Sequence, residues 1–452
     1  MKDKCAVFGA KSSTDVFESI YYGLHSMQHR GQESAGIACS NDKIRVHKDM
    51  GLVRQVFKNA YLSGTSGIGH VRYSTTGGSF IENAQPLILN YSKGTFAIAH
   101  NGNIVNHAEL RKVLEDAGGT FITTSDTEII GKIIAHEHLK TNDFVEGIKN
   151  TMKQLIGSYS LTILYEDKIY GVRDPSGIRP LCLGVKDNSY YISSESCALD
   201  VVGASLVRDI KPSEILEIGD SITSFMGPKG RVCHCMFEYV YFARADSVID
   251  GRPIYAVRLK LGKNLAKEMP VKADLVCAVP DSGITHAIGY ARESGIPYGE
   301  ALIKNRYVGR TFIIPDQKDR DLSVRVKSNP LKSEIAGKSI IIVDDSLVRG
   351  TTMKRIVSTL RVAGAREVHI RIASPPVKNP CFYGIDMQTH KEFIASTRCV
   401  EDIRKVIGAD TLAYLSLDGL VDALGFDPGQ LCLACLNGEY PLKDKQKKLT
   451  DD

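Results

Sequence analysis

The chain has 452 residues, 24% of them charged and 43% hydrophobic, which is enough for two or three domains with ample cores. Its net charge of +5 is too small for a nucleic-acid-binding protein, and no block of Lys and Arg stands out. No apolar run predicts a membrane span, and MKDKCAVFGAKSS lacks the apolar segment of a signal peptide. We therefore expect a cytoplasmic protein with neither a membrane nor a nucleic-acid partner.

The first half of the chain, residues 1–228, alternates short strand-like runs with turns. An amphipathic helix is predicted over 16–29, where apolar residues recur at helical spacing. Clusters of strands followed by helices favour layered α+β packing. The predicted strands are 5–10, 34–40, 43–48, 95–100 and 160–165.

Four strings in this half carry chemical groups. They are Cys5, HRGQESAGI at 29–37, HVRYSTTGG at 70–78, and HNGNIVN at 100–106 with TSDTE at 124–128. Each string alone is weak, and Cys5 alone would be interpreted as a small buried side chain that opens a strand. Together, and in this order, they resemble the class II glutamine amidotransferase family. The resemblance implies an N-terminal-nucleophile hydrolase with a four-layer αββα fold.

The same resemblance implies a role for five residues. Cys5 would attack the side-chain amide of glutamine, with its own α-amino group as the base. A free α-amine has a pKa of roughly 7.7–8.0, which is close enough to the working pH for proton transfer. Asn101 and the N–H of Gly102 would form an oxyanion hole. Arg72 would bind the α-carboxylate of glutamine, and Asp126 its α-ammonium group.

Residues 1–4 precede Cys5, so the encoded thiol has no free α-amine beside it. Removal of Met1 alone would not expose one. The family's chemistry implies that 1–4 is a propeptide, removed when Cys5 attacks the carbonyl before it. The glutaminase domain is then expected over 5–228.

The second half, residues 229–452, changes to alternating strands and helices. The string at 272–291 predicts a strand, a loop and a helix, with Ser282 at the carboxyl end of the strand, where open α/β sheets bind ligands. Residues 304–330 hold seven Lys or Arg against three Asp. This segment is either a solvated surface loop or a lid over a substrate.

The most informative string is IIIVDDSLVRGTT at 340–352. Its isoleucines predict a strand buried on both faces, and a helix is expected to begin near Thr351. Hydroxyls and N–H groups at that helix start suit an anion. The string resembles the phosphoribosyl pyrophosphate (PRPP) loop of type I phosphoribosyltransferases. The alternative is an ordinary strand–turn–helix of an α/β domain.

This second resemblance implies a ligand set. Ser282, Asp344 and Asp345 would lie at a Mg²⁺ ion, although adjacent carboxylates are more often hydrogen-bond acceptors. The lid would close over PRPP and exclude water. The implied substrate contacts are Lys304, Arg306, Arg310, Ser346, Arg349, Gly350, Thr351 and Thr352.

The 11 cysteines lack the dense, regular spacing of a secreted scaffold. Cys432 and Cys435 form a CxxC pair, which alone could be a zinc site, a redox pair or chance. Cys235 and Cys381 fall where an iron–sulfur branch of the family has its other ligands. Four thiolates suit either a [4Fe–4S] cluster or Zn²⁺, and the resemblance favours the cluster. Cys233 complicates the assignment, and core positions are expected for Cys39, Cys182, Cys197, Cys277 and Cys399.

The two halves together resemble the amidophosphoribosyltransferase family, in its iron–sulfur branch. That implies the first committed step of purine biosynthesis, in which glutamine, PRPP and water give 5-phosphoribosylamine, glutamate and pyrophosphate. It also implies purine-nucleotide inhibitors and a homotetramer or homodimer. The alternatives are another class II amidotransferase, which would lack the PRPP loop, and a PRPP-sensing regulator without catalysis.

Overall fold

The computed structural model describes residues 5–73, 78–304, 328–385, 387 and 389–442. Two antiparallel sheets form the first half. In spatial order the first sheet contains Ser205–Asp209, Cys182–Lys186, Ser189–Ser193, Ala6–Lys11, Ser66–Arg72, Ser34–Asn41 and Lys43–Met50. The second contains Ile222–Met226, Glu214–Ile218, Lys168–Arg173, Gly157–Tyr165, Gly94–Ile104 and Leu87–Tyr91.

Side-chain alternation along the strands produces four layers. Val7 packs into a core shared by the two sheets, whereas its neighbour Phe8 faces a core shared with helices on the outer side of the first sheet. A third core joins the second sheet to helices on its own outer side. The helices of this half are Phe17–Ser26, Val53–Val56, His107–Asp116, Asp126–Thr141, Phe144–Gln154 and Cys197–Val201, with a 3₁₀ turn at Ile81–Asn83.

The expected αββα architecture is therefore confirmed, and each of the five predicted strands is present, with limits moved by a few residues. The predicted helix over 16–29 spans Phe17–Ser26. The long helix Asp126–Thr141 was not predicted. Its first turn buries Asp126, Thr127 and Glu128, so polar residues face the interior and hide the helical pattern.

The second half is built on a parallel sheet in the order Leu275–Ala278, Ser339–Asp344, Glu367–Ile372 and Thr411–Tyr414. Residues Ile340 to Val343 are fully buried and alternate between two cores, as a strand covered on both faces requires. The helices are Ile254–Glu268, Ile284–Ser294, Lys332–Ile335, Thr351–Val362, Val400–Ile407, Leu417–Leu424 and Ala434–Asn437.

Short elements complete the second half. They are a π-helix at Glu238–Phe242, 3₁₀ turns at His390–Glu392 and Pro428–Gln430, and the strand pairs His234–Cys235 with Leu431–Cys432, Val248–Ile249 with Arg252–Pro253, and Leu302–Lys304 with Ser328–Pro330. Among the helices of the described ranges, none is long and apolar enough to cross a membrane.

Candidate active sites

Cys5 lies immediately before the strand Ala6–Lys11 and is 7% exposed. Its thiol donates to the carbonyl oxygen of Tyr73 at 3.4 Å. Burial raises the pKa of the Cys5 thiol to about 11, against the smaller opposing effects of that hydrogen bond and of Arg72. The thiol therefore keeps its proton at neutral pH, and a base is needed to activate it.

Two charged residues predicted to hold glutamine lie close enough to Cys5 to act on its pKa, namely Arg72 and Asp126. Arg72 ends the strand Ser66–Arg72 and contacts the Glu33 carboxylate at 2.5 Å. Asp126 begins its helix and accepts from the N–H of Ile104 at 3.0 Å. Burial alone would raise the pKa of Asp126, but His100 and that N–H hold it below its usual value. Asp126 is thus an anion available to an ammonium group.

The predicted oxyanion residues lie on the strand Gly94–Ile104 of the other sheet. Asn101 donates to the Ser194 hydroxyl at 3.4 Å, and that hydroxyl also accepts from the N–H of Val7 at 2.9 Å. A Cβ at Gly102 would lie 1.9 Å from the Ser158 carbonyl oxygen, so only glycine fits there. The structure brings all five predicted glutaminase residues to one region, and their roles stay predictions.

A second polar site opens at the carboxyl end of the strand Ser339–Asp344. A cavity of about 350 Å³ lies there. Eight residues predicted from sequence line it: Ser282, Asp344, Asp345, Ser346, Arg349, Gly350, Thr351 and Thr352. Val279, on the segment that carries Ser282, also lines it, as do three residues from other segments that the sequence did not predict, namely Tyr241, Met387 and Glu392. Only a charge partner for Arg349 could have been sought in advance, and Glu392 provides it through an ion pair.

The two aspartates of this cavity are held together at close range. The N–H of Asp345 donates to Asp344 at 2.9 Å, and the Ser346 hydroxyl donates to Asp345 at 2.6 Å. Burial raises the pKa of Asp344 well above its usual value, and the neighbouring Asp345 raises it further, while Ser282 opposes the shift. Three oxygen-bearing side chains therefore meet where a cation would relieve the repulsion between two carboxylates.

The helix Thr351–Val362 begins at the floor of the cavity, as predicted. Gly350 precedes it with φ of +76°, a left-handed conformation that favours glycine. Met353, Val357 and Leu360 bury the inner face of the helix. Its first N–H groups are thereby presented to the cavity, which suits an anionic ligand.

Lys304 forms an ion pair with Asp281, on the loop that carries Ser282. The other two predicted lid contacts, Arg306 and Arg310, lie outside the described residues, as do residues 1–4 of the predicted propeptide.

The four predicted cluster cysteines gather in one interior region. Cys235 and Cys432 pair across the two short parallel strands. Burial raises the pKa of the Cys432 and Cys435 thiols well above normal, and the other predicted cysteines raise both further. Over the described ranges, however, no three or more His, Cys, Asp or Glu form a group that could hold a metal ion. The four thiols are close enough to act on one another's pKa, and four thiols are a donor set that suits a metal group.

One cysteine prediction is wrong. Cys39, Cys182, Cys197 and Cys277 are buried as expected, but Cys399 is exposed. It precedes the surface helix Val400–Ile407, and its thiol donates to Asp402 at 3.2 Å. Its polar neighbours place that turn in solvent.

Comparison with known proteins finds a matching family for each half of the chain. Residues 70–201 match the family described as a glutamine amidotransferase domain, and residues 247–379 the family described as a phosphoribosyl transferase domain. The amidophosphoribosyltransferase of Methanocaldococcus jannaschii is 52% identical over 98% of this chain and 99% of its own length. That of Bacillus subtilis is 48% identical over 98% and 94%. Among solved structures, the B. subtilis glutamine PRPP amidotransferase complexed with ADP and GMP is 46% identical to this chain. The two superpose with a TM-score of 0.90 over 97% of each chain.

The fold and the two sites define a protein that joins a glutamine amidotransferase domain to a phosphoribosyltransferase domain. With half of its residues identical to those of full-length relatives, the chain belongs to the amidophosphoribosyltransferase family.

Proposed function

We propose that this enzyme hydrolyses glutamine with water at Cys5 and transfers the released ammonia to PRPP, giving 5-phosphoribosylamine, glutamate and pyrophosphate at the first step of purine biosynthesis. The observation that carries the proposal is the presence of two separate sites on one chain. A buried thiol lies close to Arg72 and Asp126, and Asn101 is linked through the Ser194 hydroxyl to Val7 on the strand that follows Cys5. A separate cavity of about 350 Å³ holds the paired aspartates.

At the first site, residues 1–4 would be removed so that the α-amine of Cys5 becomes the base. The thiol pKa of about 11 supports this, because a protonated thiol without a base is a poor nucleophile. Arg72 would bind the α-carboxylate of glutamine in place of Glu33, and Asp126 would bind the α-ammonium. Asn101 and the Gly102 N–H would donate to the oxyanion that forms when Cys5 attacks the amide carbon. The thioester would then be hydrolysed to glutamate.

At the second site, the start of the helix Thr351–Val362 and the hydroxyls of Ser346, Thr351 and Thr352 would bind the 5-phosphate. Asp344 and Asp345 would accept from the ribose hydroxyls. Ammonia from the first site would then displace pyrophosphate from C1 of the sugar. Lys304, with Arg306 and Arg310, would contact pyrophosphate. We propose 5–228 and 229–452 as the two domains, and the matched ranges fall on either side of that limit.

Two metal groups belong to this proposal. Ser282, Asp344 and Asp345 suit Mg²⁺, which would neutralise pyrophosphate charge when bound. Cys235, Cys381, Cys432 and Cys435 suit a [4Fe–4S] cluster of the iron–sulfur branch, with Zn²⁺ as the alternative. Whether it is a cluster or Zn²⁺, the group bound by the four cysteines would be structural. We also propose regulation by purine nucleotides, supported by the relative solved with ADP and GMP, and assembly as a homotetramer or homodimer.

The metal assignment is tested by elemental analysis of protein purified without oxygen. We expect iron and acid-labile sulfide in equal amounts, lost in Cys435→Ser and retained in Cys399→Ser, which changes an exposed cysteine outside the set. Zinc without sulfide would contradict the cluster.

The function is tested by Cys5→Ala. The parent is expected to release pyrophosphate from PRPP with either glutamine or ammonia as the nitrogen donor. The variant is expected to lose the glutamine-dependent activity and keep the ammonia-dependent one, because its second site is intact. A parent active with neither donor would overturn the proposal in favour of a PRPP-binding regulator.

A further inference from the structure

A buried ion network lies directly beside the candidate nucleophile. The Arg30 side chain is 1% exposed and uses all three nitrogens of its guanidinium. Nε donates to the carbonyl oxygen of Cys5 at 3.2 Å, and Nη1 contacts Glu195 at 2.5 Å. Nη2 donates to both carboxylate oxygens of Glu238, each at 2.9 Å.

The two carboxylates come from different halves of the chain. Glu195 follows the strand Ser189–Ser193 of the glutaminase half, whereas Glu238 begins the π-helix of the other half. Glu238 is 1% exposed and also accepts from Arg179 at 3.0 Å. Two guanidinium groups thus face two carboxylates in the interior, and His29 Nε2 also lies 2.9 Å from Glu195.

Such a network fixes the orientation of Arg30. A guanidinium is planar, so binding by a carboxylate on each of two edges leaves little freedom for its third donor. That third donor bonds the Cys5 carbonyl, which belongs to the peptide joining Cys5 to Ala6 and stays in place if residues 1–4 are removed. The backbone at Cys5 is therefore tied to Glu238 through a single side chain.

We propose that Glu238 is a positioning residue for Cys5, so that the glutaminase site is completed by a carboxylate from the phosphoribosyltransferase half. The inference rests on the proposed function. Glu238 acts through Arg30, and Arg72 and Asp126 remain the residues that would bind glutamine.

A second buried ion pair provides a matched control. Arg173 contacts Asp250 at 2.7 and 2.9 Å, and it also joins the two halves. Neither residue bonds Cys5 or lines the PRPP cavity. Asp250 also accepts from the Tyr239 hydroxyl at 3.2 Å, in the same π-helix as Glu238, but it makes no bond to Arg30. Asp250→Asn therefore weakens the contact between the halves and perturbs the π-helix while the partners of Arg30 stay in place.

The test compares Glu238→Gln with Asp250→Asn and the parent, using glutamine and ammonia in turn as nitrogen donor. Glu238→Gln keeps the shape of the side chain but removes the charge that holds Arg30. We expect its kcat with glutamine to fall roughly 10- to 100-fold, the range for a misplaced reacting group. The KM for glutamine should change little, and the ammonia-dependent activity should fall far less than the glutamine-dependent one. Asp250→Asn should leave the ratio of the two activities unchanged.

Three outcomes would overturn the inference. One is a Glu238→Gln variant whose two activities keep the parental ratio, and another is the same change of ratio in Asp250→Asn. If Glu238→Gln does not fold, the ratio is measured on Glu238→Asp, which withdraws the carboxylate by one methylene, and an unchanged ratio there is the third. A parent without glutamine-dependent activity would overturn the proposed function, and the inference with it.

Discussion

At the scale of single residues, burial decides the charge state of several groups. His70 is fully buried in the strand Ser66–Arg72, and its Nε2 lies 3.0 Å from the carbonyl oxygen of His100. Burial lowers the pKa of His70 to about 3, and the hydrogen bond only partly opposes this. The folded protein therefore keeps His70 neutral at pH values where the unfolded chain binds a proton.

That difference makes stability depend on pH. An unfolded histidine titrates near pH ~6.5, so the stabilising contribution of His70 is complete above that value and is lost as the pH falls toward 3. In this window one such group changes the free energy of unfolding by about 1.4 kcal/mol per pH unit. His70→Gln keeps a donor for the His100 carbonyl but has no group that titrates, so its free energy of unfolding should fall less steeply as the pH is lowered. The measurement is the urea midpoint of unfolding as a function of pH between ~4.5 and ~7. If the midpoint changes with pH equally in the parent and in the variant, the lowered pKa of His70 is wrong.

Only some residues of the cavity at Asp344 and Asp345 can be identified from a short stretch of sequence. Asp344, Asp345 and Ser346 are consecutive, so their shared place in one cavity was predictable from one string. Tyr241 and Met387 reach the same cavity from segments over 100 residues apart, and neither carries a local signal. Cys399 departs from its prediction because apolar residues near a cysteine favour burial, whereas the turn that carries Cys399 is polar and exposed.

At the scale of elements, a loop of the second half packs against the predicted oxyanion strand. The side-chain amide of Asn103 donates to the carbonyl oxygen of Phe382 at 2.9 Å. On the neighbouring strand, the Ser158 hydroxyl donates to the backbone carbonyl oxygen of Tyr383 at 2.8 Å. Gly384 continues this loop with φ of +88°. A Cβ there would lie 3.0 Å from Nη2 of Arg179 and 3.1 Å from the carbonyl carbon of Gly102. The loop therefore limits the position of Gly102.

Gly384→Ala should disturb both stability and glutamine hydrolysis. The left-handed backbone costs an alanine about 1–2 kcal/mol, and the added methyl group crowds Gly102. Gly295→Ala is the matched control, because Gly295 has φ of +71° and a Cβ there would meet nothing within 4 Å. Both variants should unfold at a lower temperature. Only Gly384→Ala should lower glutamine-dependent relative to ammonia-dependent activity, and equal ratios in the two variants would contradict this account.

Elements with a clear period were predictable, and those with polar residues inside were not. The strand at 340–344 and the helix after it follow from their apolar spacing. The helix Asp126–Thr141 was missed because its first turn directs Asp126 and Glu128 inward. The feature that obscured this helix is also what places Asp126 beside Cys5.

At the scale of the whole molecule, the two halves meet through buried charges that no local pattern predicts. Arg30 and Glu238 are 208 positions apart, and Arg173 and Asp250 are 77 apart. The sequence predicts each domain because each site is encoded in short strings. The contact between domains depends on pairs of residues that are each unremarkable alone, so it became visible only in the folded chain.

If the two sites work on one reaction, glutamine and PRPP are consumed together. The most direct test measures glutamate and pyrophosphate formed together from glutamine and PRPP, with protein whose intact mass shows that it begins at Cys5. We expect equal amounts of the two products, with glutamate formation abolished in Cys5→Ala. Pyrophosphate formed without glutamate, or glutamate formed without pyrophosphate, would contradict it.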